Sequence, residues 1–348
     1  MRYKATFLFI LSTTFTALNV ALAQENVVNI YTWSGEIPDK VVHQFEKETG
    51  IKVNLSTYEN NEVMYAKLRA TKQPGYDIIV PSSYFIDRMH KQNMLEPLDK
   101  NKLSNWANLN PAFLHPAYDP DLSYSIPYLW GITGIFFNKA YYSANEIQSW
   151  GDLWQPRFSN QLMFLDDLRE TFGIALLALG YSPNDKDPKH IRAAFLKLKS
   201  LQPNIKVFSS DTVVSIMIDE DVQVGAAWNG DAYKASQENN NIHFIFPKEG
   251  FVIWVDNLAM PKTAPHKENA YAFINFLLRV DIGETVSTIT SYPTANLAAQ
   301  KRLPKEIQNN PIAYPPNDVL KRGQFQIDLG EETLDLYEKY WEELKIGA

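Results

Sequence analysis

The sequence predicts an α/β fold built as two lobes. Three observations carry that expectation. Strand and helix patterns alternate from Val27 to Val80, as in a parallel sheet covered on both faces. A strand pattern at Ile132 to Asn138 leaves this unit and another at Asn257 to Pro261 returns to it, with a second α/β unit between them. The chain also has 348 residues, enough for two domains, yet no flexible linker or low-complexity stretch separates them. Two domains without a linker imply that the chain crosses between them more than once. Lobe 1 is therefore expected at residues 24–132 plus 257–301, and lobe 2 at residues 133–256 plus 302–348.

Val27 to Tyr31 is a near-continuous apolar run and reads as the first strand. Pro38 fits the first turn of the helix that follows, with Val41, Val42 and Phe45 on one face and Gly50 at its end. Ile51 to Leu55 reads as a strand, Met64 to Ala70 as a helix, and Tyr76 to Val80 as a buried strand stopped by Pro81. In the second unit a helix follows Asp167, another spans Ile191 to Leu201, and a strand runs from Val222 to Trp228. Asn269 to Leu278 is a helix whose Ala270, Phe273, Ile274 and Leu277 share a face. Leu334, Tyr337, Trp341 and Leu344 repeat that spacing in a final helix. The crossovers near Gly131 to Gly134 and Asn257 to Pro261 are the expected hinge.

The first 23 residues stand apart from this fold. Arg2 and Lys4 precede an apolar run from Ala5 to Leu18, and Ala21-Leu22-Ala23 carries the small-x-small pattern of a signal-peptidase site. The run is too short and too rich in Ser and Thr for a membrane span. Export on a cleavable signal, a mature start near Gln24 and a periplasmic location are expected. The formal charge of −7 becomes −9 once Arg2 and Lys4 are removed. Such an acid excess repels nucleic acid and anionic membranes and draws cations. With no Cys, disulfides, zinc–thiolate sites and thiol catalysis are excluded.

No Gly-rich phosphate loop, nucleophile elbow or paired-His motif is present, and the six His are scattered, so neither an enzyme nor a cofactor nor a metal site is indicated. The sequence offers instead aromatic residues beside carboxylates. Trp254 and Asp256 fall on one side of an extended segment because side chains alternate. Trp228 ends a strand pattern. Asp167 and Glu170, three apart at the start of a helix, can share a face or simply cap it. Trp33-Ser34 and Ser82-Ser83-Tyr84 lie beyond the carboxyl ends of strands, where ligands of open α/β sheets sit. Each of these residues also has an ordinary packing role open to it: Trp228 and Trp254 as core, Tyr84 and Tyr292 as buried aromatics with satisfied hydroxyls.

A series of motifs decides between these readings. Tyr31-Thr32-Trp33-Ser34, Ser56-Thr57-Tyr58-Glu59, Tyr76-Asp77-Ile78-Ile79-Val80-Pro81-Ser82 and Tyr124-Ser125-Ile126-Pro127-Tyr128 occur in order. Asp166-Asp167-Leu168-Arg169-Glu170, Trp228-Asn229-Gly230, Pro247-Lys248-Glu249-Gly250 and Tyr292-Pro293-Thr294 follow. With them the chain resembles, from about Val28 to its end, the periplasmic spermidine/putrescine-binding proteins of polyamine ABC transporters. That resemblance implies the type II periplasmic-binding-protein fold, a polyamine ligand, an inner-membrane ABC permease as partner, and a monomer.

It also implies a site at Trp33, Ser34, Ser82 and Tyr84 in the first lobe, and at Asp167, Glu170, Ser210, Trp228 and Trp254 in the second. Asp256, Tyr292 and Gln326 complete it near the crossovers. Glu36 stands where the family usually has Tyr. It is either an extra carboxylate for an ammonium or, the reading we favour from sequence, a solvent-facing residue at the cleft rim. A polyamine needs carboxylates for its ammonium groups and aromatic faces for its methylenes, and these residue types supply both. Three carboxylates favour a triamine slightly over a diamine. The rivals are a carboxylate-based glycoside hydrolase, a polyamine sensor not coupled to uptake, and an iron-binding relative using Tyr141 and Tyr142.

Overall fold

The structure, a computed structural model, describes residues 26–70 and 75–346. The expected signal segment and the mature start at Gln24 lie outside the described residues. Ten strands form one curled sheet. Its first part holds β1 (Val27–Trp33), β2 (Lys52–Tyr58) and β3 (Ile78–Ile79), with β1 parallel to both of the others. Two long strands follow, β4 (Ser125–Asn138) and β9 (Phe251–Ala259). They pair antiparallel from Ser125↔Ala259 to Ile132↔Ile253. Beyond Ile132, β4 runs on alone into the second part of the sheet. There it pairs with β7 (Val224–Trp228) on one side and β8 (Ile242–Ile245) on the other. β5 (Leu162–Phe164) and β6 (Ile205–Phe208) extend this part, and β10 (Gly323–Phe325) adds to β9.

The sheet is mixed rather than parallel throughout, because the returning strand β9 enters against the direction of β3 and β4. The expected strands at Ile132 to Asn138 and Asn257 to Pro261 are the far halves of two longer ones. β4 is buried along its whole length, so it lacks the alternation that would mark where it begins. It carries Pro127 at a register shift, where the missing N–H is tolerated. β3 has two residues where five are expected. Asp77 accounts for this: its carboxylate takes the Asn29 N–H at 2.8 Å and so replaces the backbone acceptor a longer ladder would use.

Helices cover the sheet. α1 (Asp39–Thr49), α2 (Asn61–Ala70) and α3 (Ser83–Lys91) pack on the first part. α4 (Leu168–Ala178), α5 (Pro188–Leu201), α6 (Val213–Ile218) and α7 (Asn229–Glu238) belong to the second. α8 (Lys267–Leu277) and α9 (Val280–Thr290) return to the first. The last helix, Glu331–Ile346, lays Leu334, Tyr337 and Leu344 against α4 and α5. The apolar residues thus bury in separate clusters for the two parts of the sheet. Among the described residues no helix is long and apolar enough to cross a membrane.

Candidate functional site

Between the two parts of the sheet lies a cavity, and all thirteen residues singled out from sequence line it. The chain brings them there by one recurring device, the carboxyl end of a strand. Trp33 ends β1 and Trp228 ends β7. Ser82 and Tyr84 follow β3, Ser210 follows β6 and Gln326 follows β10. Asp167 follows β5 and caps α4, its side chain accepting the Glu170 N–H at 2.9 Å. The capping role and a place in the cavity therefore hold together. Trp254 and Asp256 share one face of β9, as alternation requires. Ser34 is the outlier: it is exposed, at the cavity's edge.

Four rings run through the cavity as an edge-to-face chain. Trp33 and Trp228 have centroids 6.4 Å apart, Trp228 and Trp254 6.5 Å, and Trp254 and Tyr292 5.3 Å. Carboxyl groups punctuate this chain. Asp256 accepts from the Ser82 hydroxyl at 2.6 Å, and Ser82 is itself fixed by Asn61, which donates to its Oγ at 3.1 Å. Glu36 bonds to Asp256 through its side chain and accepts from Thr32 Oγ1 at 3.2 Å. Asp167 and Glu170 form a second group. Behind them the buried Arg169 guanidinium donates to the Ile327 carbonyl at 3.1 Å and lies 4.9 Å from the Tyr84 ring.

Burial sets the electrostatics. It pushes Asp256 up to about 7, with the Asp167 charge adding to the effect and the Ser82 hydrogen bond opposing it. It pushes Glu170 up to about 8, helped by the neighbouring Asp167 charge. Glu36 is raised well above the usual carboxylate range, first by burial and then by Asp256. Among the described residues, four buried polar atoms on the cavity wall have no protein partner: Glu170 Oε2, Ser210 Oγ, Trp254 Nε1 and Gln326 Nε2. Glu170 Oε2 is a pure acceptor when ionised, Ser210 Oγ can accept or donate, and Trp254 Nε1 and Gln326 Nε2 only donate, so the wall has places for both kinds of partner, while the clustered carboxyl groups call for a cation.

Residues 40–315 match the family described as bacterial extracellular solute-binding proteins. This chain belongs to that family. It is 44% identical to the spermidine/putrescine-binding periplasmic protein of Escherichia coli over 322 residues, covering 92% of each chain. The corresponding Haemophilus influenzae protein 1 is also 44% identical, with 93% of this chain and 90% of that one covered. A solved Listeria monocytogenes chain assigned to spermidine/putrescine ABC transport superposes with a TM-score of 0.90 at 36% identity, covering 93% of this chain and 100% of its own length. The fold of this solute-binding protein is accordingly the type II fold of periplasmic binding proteins, and its relatives are transporter components rather than enzymes.

One expectation for this solute-binding protein is overturned. Glu36 does not face solvent at a rim: it is 6% exposed and lines the cavity. The chain turns at Gly35, whose φ of 77° only glycine adopts readily, and the Tyr128 hydroxyl pins the Glu36 carbonyl at 3.1 Å. Sequence reasoning also missed cavity residues. Tyr58 and Glu59 end β2 just as Trp33 and Ser34 end β1, so the strand-end rule could have found them. Asp231, three residues after Trp228, sits in the first turn of α7 and binds the Tyr292 hydroxyl. Tyr142, by contrast, packs against Phe158 and donates to Gln161, away from the cavity.

The Tyr292 ring lies directly on Gly230. A Cβ there would stand 2.2 Å from Tyr292 Cδ1, whereas one at Gly151 would meet nothing closer than 3.8 Å. Gly230→Ala is therefore expected to destabilise the protein by about 1–3 kcal/mol, the usual range for overpacking. Thermal denaturation should show a lowered midpoint for Gly230→Ala and an unchanged one for Gly151→Ala.

Proposed function

We propose that this solute-binding protein captures a linear polyamine, spermidine ahead of putrescine, and delivers it to an inner-membrane ABC permease. The observation that carries the reading is the cavity wall itself: carboxyl groups and a chain of aromatic rings line the same buried space. Each ammonium of a polyamine needs a carboxylate once it leaves water, since an unpaired buried charge is very costly. Each methylene gains about 0.8 kcal/mol when it is covered by a ring, and each ammonium over a ring gains about 0.5–2 kcal/mol. Micromolar affinity requires only about 8 kcal/mol net, so these contacts suffice after ordering costs. In this reading the thirteen residues form the binding site and the protein performs no catalysis. It works as a periplasmic monomer after removal of residues 1–23.

The two lobes of the proposal are residues up to 132 with 257–301, and 133–256 with 302–348, hinged where β4 and β9 pass from one to the other. A ligand held by both lobes favours the closed form, which a permease can recognise. Isothermal titration of the ligand-stripped protein should give saturable one-to-one binding of spermidine, and small-angle scattering should show compaction at saturation. No heat with spermidine, putrescine, spermine or cadaverine would overturn the ligand class. Binding without compaction would overturn the hinge.

A further inference from the structure

The start of α2 has two sides. Glu59 and Asn61 line the cavity, whereas Asn60, Glu62 and Val63 line a groove outside it. This turn therefore stands between the two spaces. The groove is walled by α2 and α3 from one proposed lobe, and by Leu168 and the last helix from the other. It is a seam formed where the lobes meet.

Glu62 is the anomaly in this seam. Both of its carboxyl oxygens are shut off from water, and neither has a hydrogen-bond partner on another described residue. The side-chain charges that bear on it most come from the opposite lobe: Asp167 and Glu338 disfavour a negative charge, and Arg169 favours it. Arg169 is committed elsewhere, donating to the Ile327 carbonyl at 3.1 Å and to Asn184 Oδ1 at 3.2 Å. On the last helix Glu331, Asp335 and Glu342 also line the groove and add to its acidity. On the Glu62 side, Arg88 lies over the Tyr65 ring at 4.7 Å and Arg69 over the same ring at 5.5 Å. The Tyr84 hydroxyl there is taken by Asn61 at 3.2 Å. Burial first, and then the Asp167 charge, push Glu62 up to about 8.

We propose that Glu62 opposes lobe closure: its carboxyl is hydrated while the lobes stand apart, is buried unpaired when they meet, and so takes up a proton as the ligand is enclosed. It sets the affinity as a positioning residue, through the closing of the lobes and without touching the ligand. The inference rests on the hinge and the polyamine ligand proposed above. Glu62 works against the cavity carboxyl groups, which give up protons to bound ammonium groups while Glu62 gains one. The sign of its effect follows. A Glu open to water titrates at about 4.3, so raising the pH above that value makes closure harder by up to about tenfold per unit, until the closed-form value is passed. Replacing a carboxylate that pairs with an ammonium weakens binding, whereas replacing one that must be neutralised before closure strengthens it.

Spermidine is titrated into the unmodified protein, Glu62→Gln and Glu332→Gln at pH 6, 7 and 8 and physiological ionic strength. Glu332, exposed at the start of the last helix and outside the groove, controls for the loss of one negative charge. Glu62→Gln is expected to bind at least about tenfold more tightly than the unmodified protein at pH 8, with an advantage that shrinks about threefold to tenfold per unit towards pH 6. Glu332→Gln should stay within about twofold of the unmodified protein throughout. Weaker binding by Glu62→Gln would make Glu62 an ammonium partner and overturn the proposal. Equal affinity at pH 8, or a gain that does not change with pH, would overturn it too. Should Glu62→Gln fail to fold, Glu62→Met, also uncharged, decides by the same ratio. If the unmodified protein binds no spermidine, the ligand reading falls, and small-angle scattering of the ligand-free proteins at pH 8 decides for Glu62. A more compact Glu62→Gln then supports the proposal, and equal radii overturn it.

Discussion

Asp256→Asn should bind spermidine about 30-fold to several thousand-fold more weakly than the unmodified protein, the range seen when one partner of a buried charge pair is removed. Asn keeps the shape of the side chain and can still accept from Ser82, so cavity packing is preserved and the loss reports on charge. Asp256 is central on two counts: it is fixed by the Ser82–Asn61 bonds, and it shares a hydrogen bond with Glu36. That last contact moderates the expected loss. Two carboxyl groups in contact cannot both ionise cheaply, and once Asp256 is neutral Glu36 is freer to carry the charge. Glu36→Gln alone should therefore cost less than Asp256→Asn, and the double variant, which leaves neither carboxylate to take the charge, more than the sum of the two. Isothermal titration measures all four proteins. Asp256→Asn within twofold of the unmodified protein would remove Asp256 from the site.

How much of this was legible beforehand depended on the physical source of each feature. Short-range periodicity located α1, α5 and α8 to within a few residues, because an apolar stripe and a terminal Gly or Pro are local signals. The strand-end rule found Trp33 and Ser82, and alternation paired Trp254 with Asp256. β4 was read at half its length because a strand buried on both sides carries no period. Glu36 was misjudged for another reason. A Glu after Ser-Gly looks like a surface turn, and nothing in the sequence reveals that Tyr128, ninety-two positions away, ties that turn inward. Asp231 escaped notice because it reads as a helix-start carboxylate. Its contact with Tyr292 joins segments that only the fold brings together.

The same clustering predicts an unusual response to pH. Buried Asp and Glu are ordinarily paired with cations, so their values fall on folding and acid destabilises the protein. Here burial and mutual repulsion act the other way: Asp256 rises to about 7, Glu170 to about 8, Asp231 to about 6, and Asp167 and Glu36 are raised too. The cations that offset this are Arg169, which lowers Asp167 and Glu170, and Lys234, which lowers Asp231. Carboxyl groups in the unfolded chain titrate at about 4. From about pH 4 to 8 the folded, ligand-free protein therefore holds more protons than the unfolded chain, and its stability falls as pH rises through that window. Its thermal midpoint should drop between pH 5.5 and 8. Bound ammonium groups do the work of the missing protons, so saturating spermidine should flatten or reverse the trend. Affinity should accordingly weaken by about tenfold per pH unit for each proton displaced on going from pH 8 to 6. Titrations in two buffers of different ionisation enthalpy would show that proton release directly. A midpoint and an affinity that are both flat from pH 6 to 8 would mean that the carboxylates remain ionised in the ligand-free protein, as they would in a cleft that stands open to water until the ligand closes it.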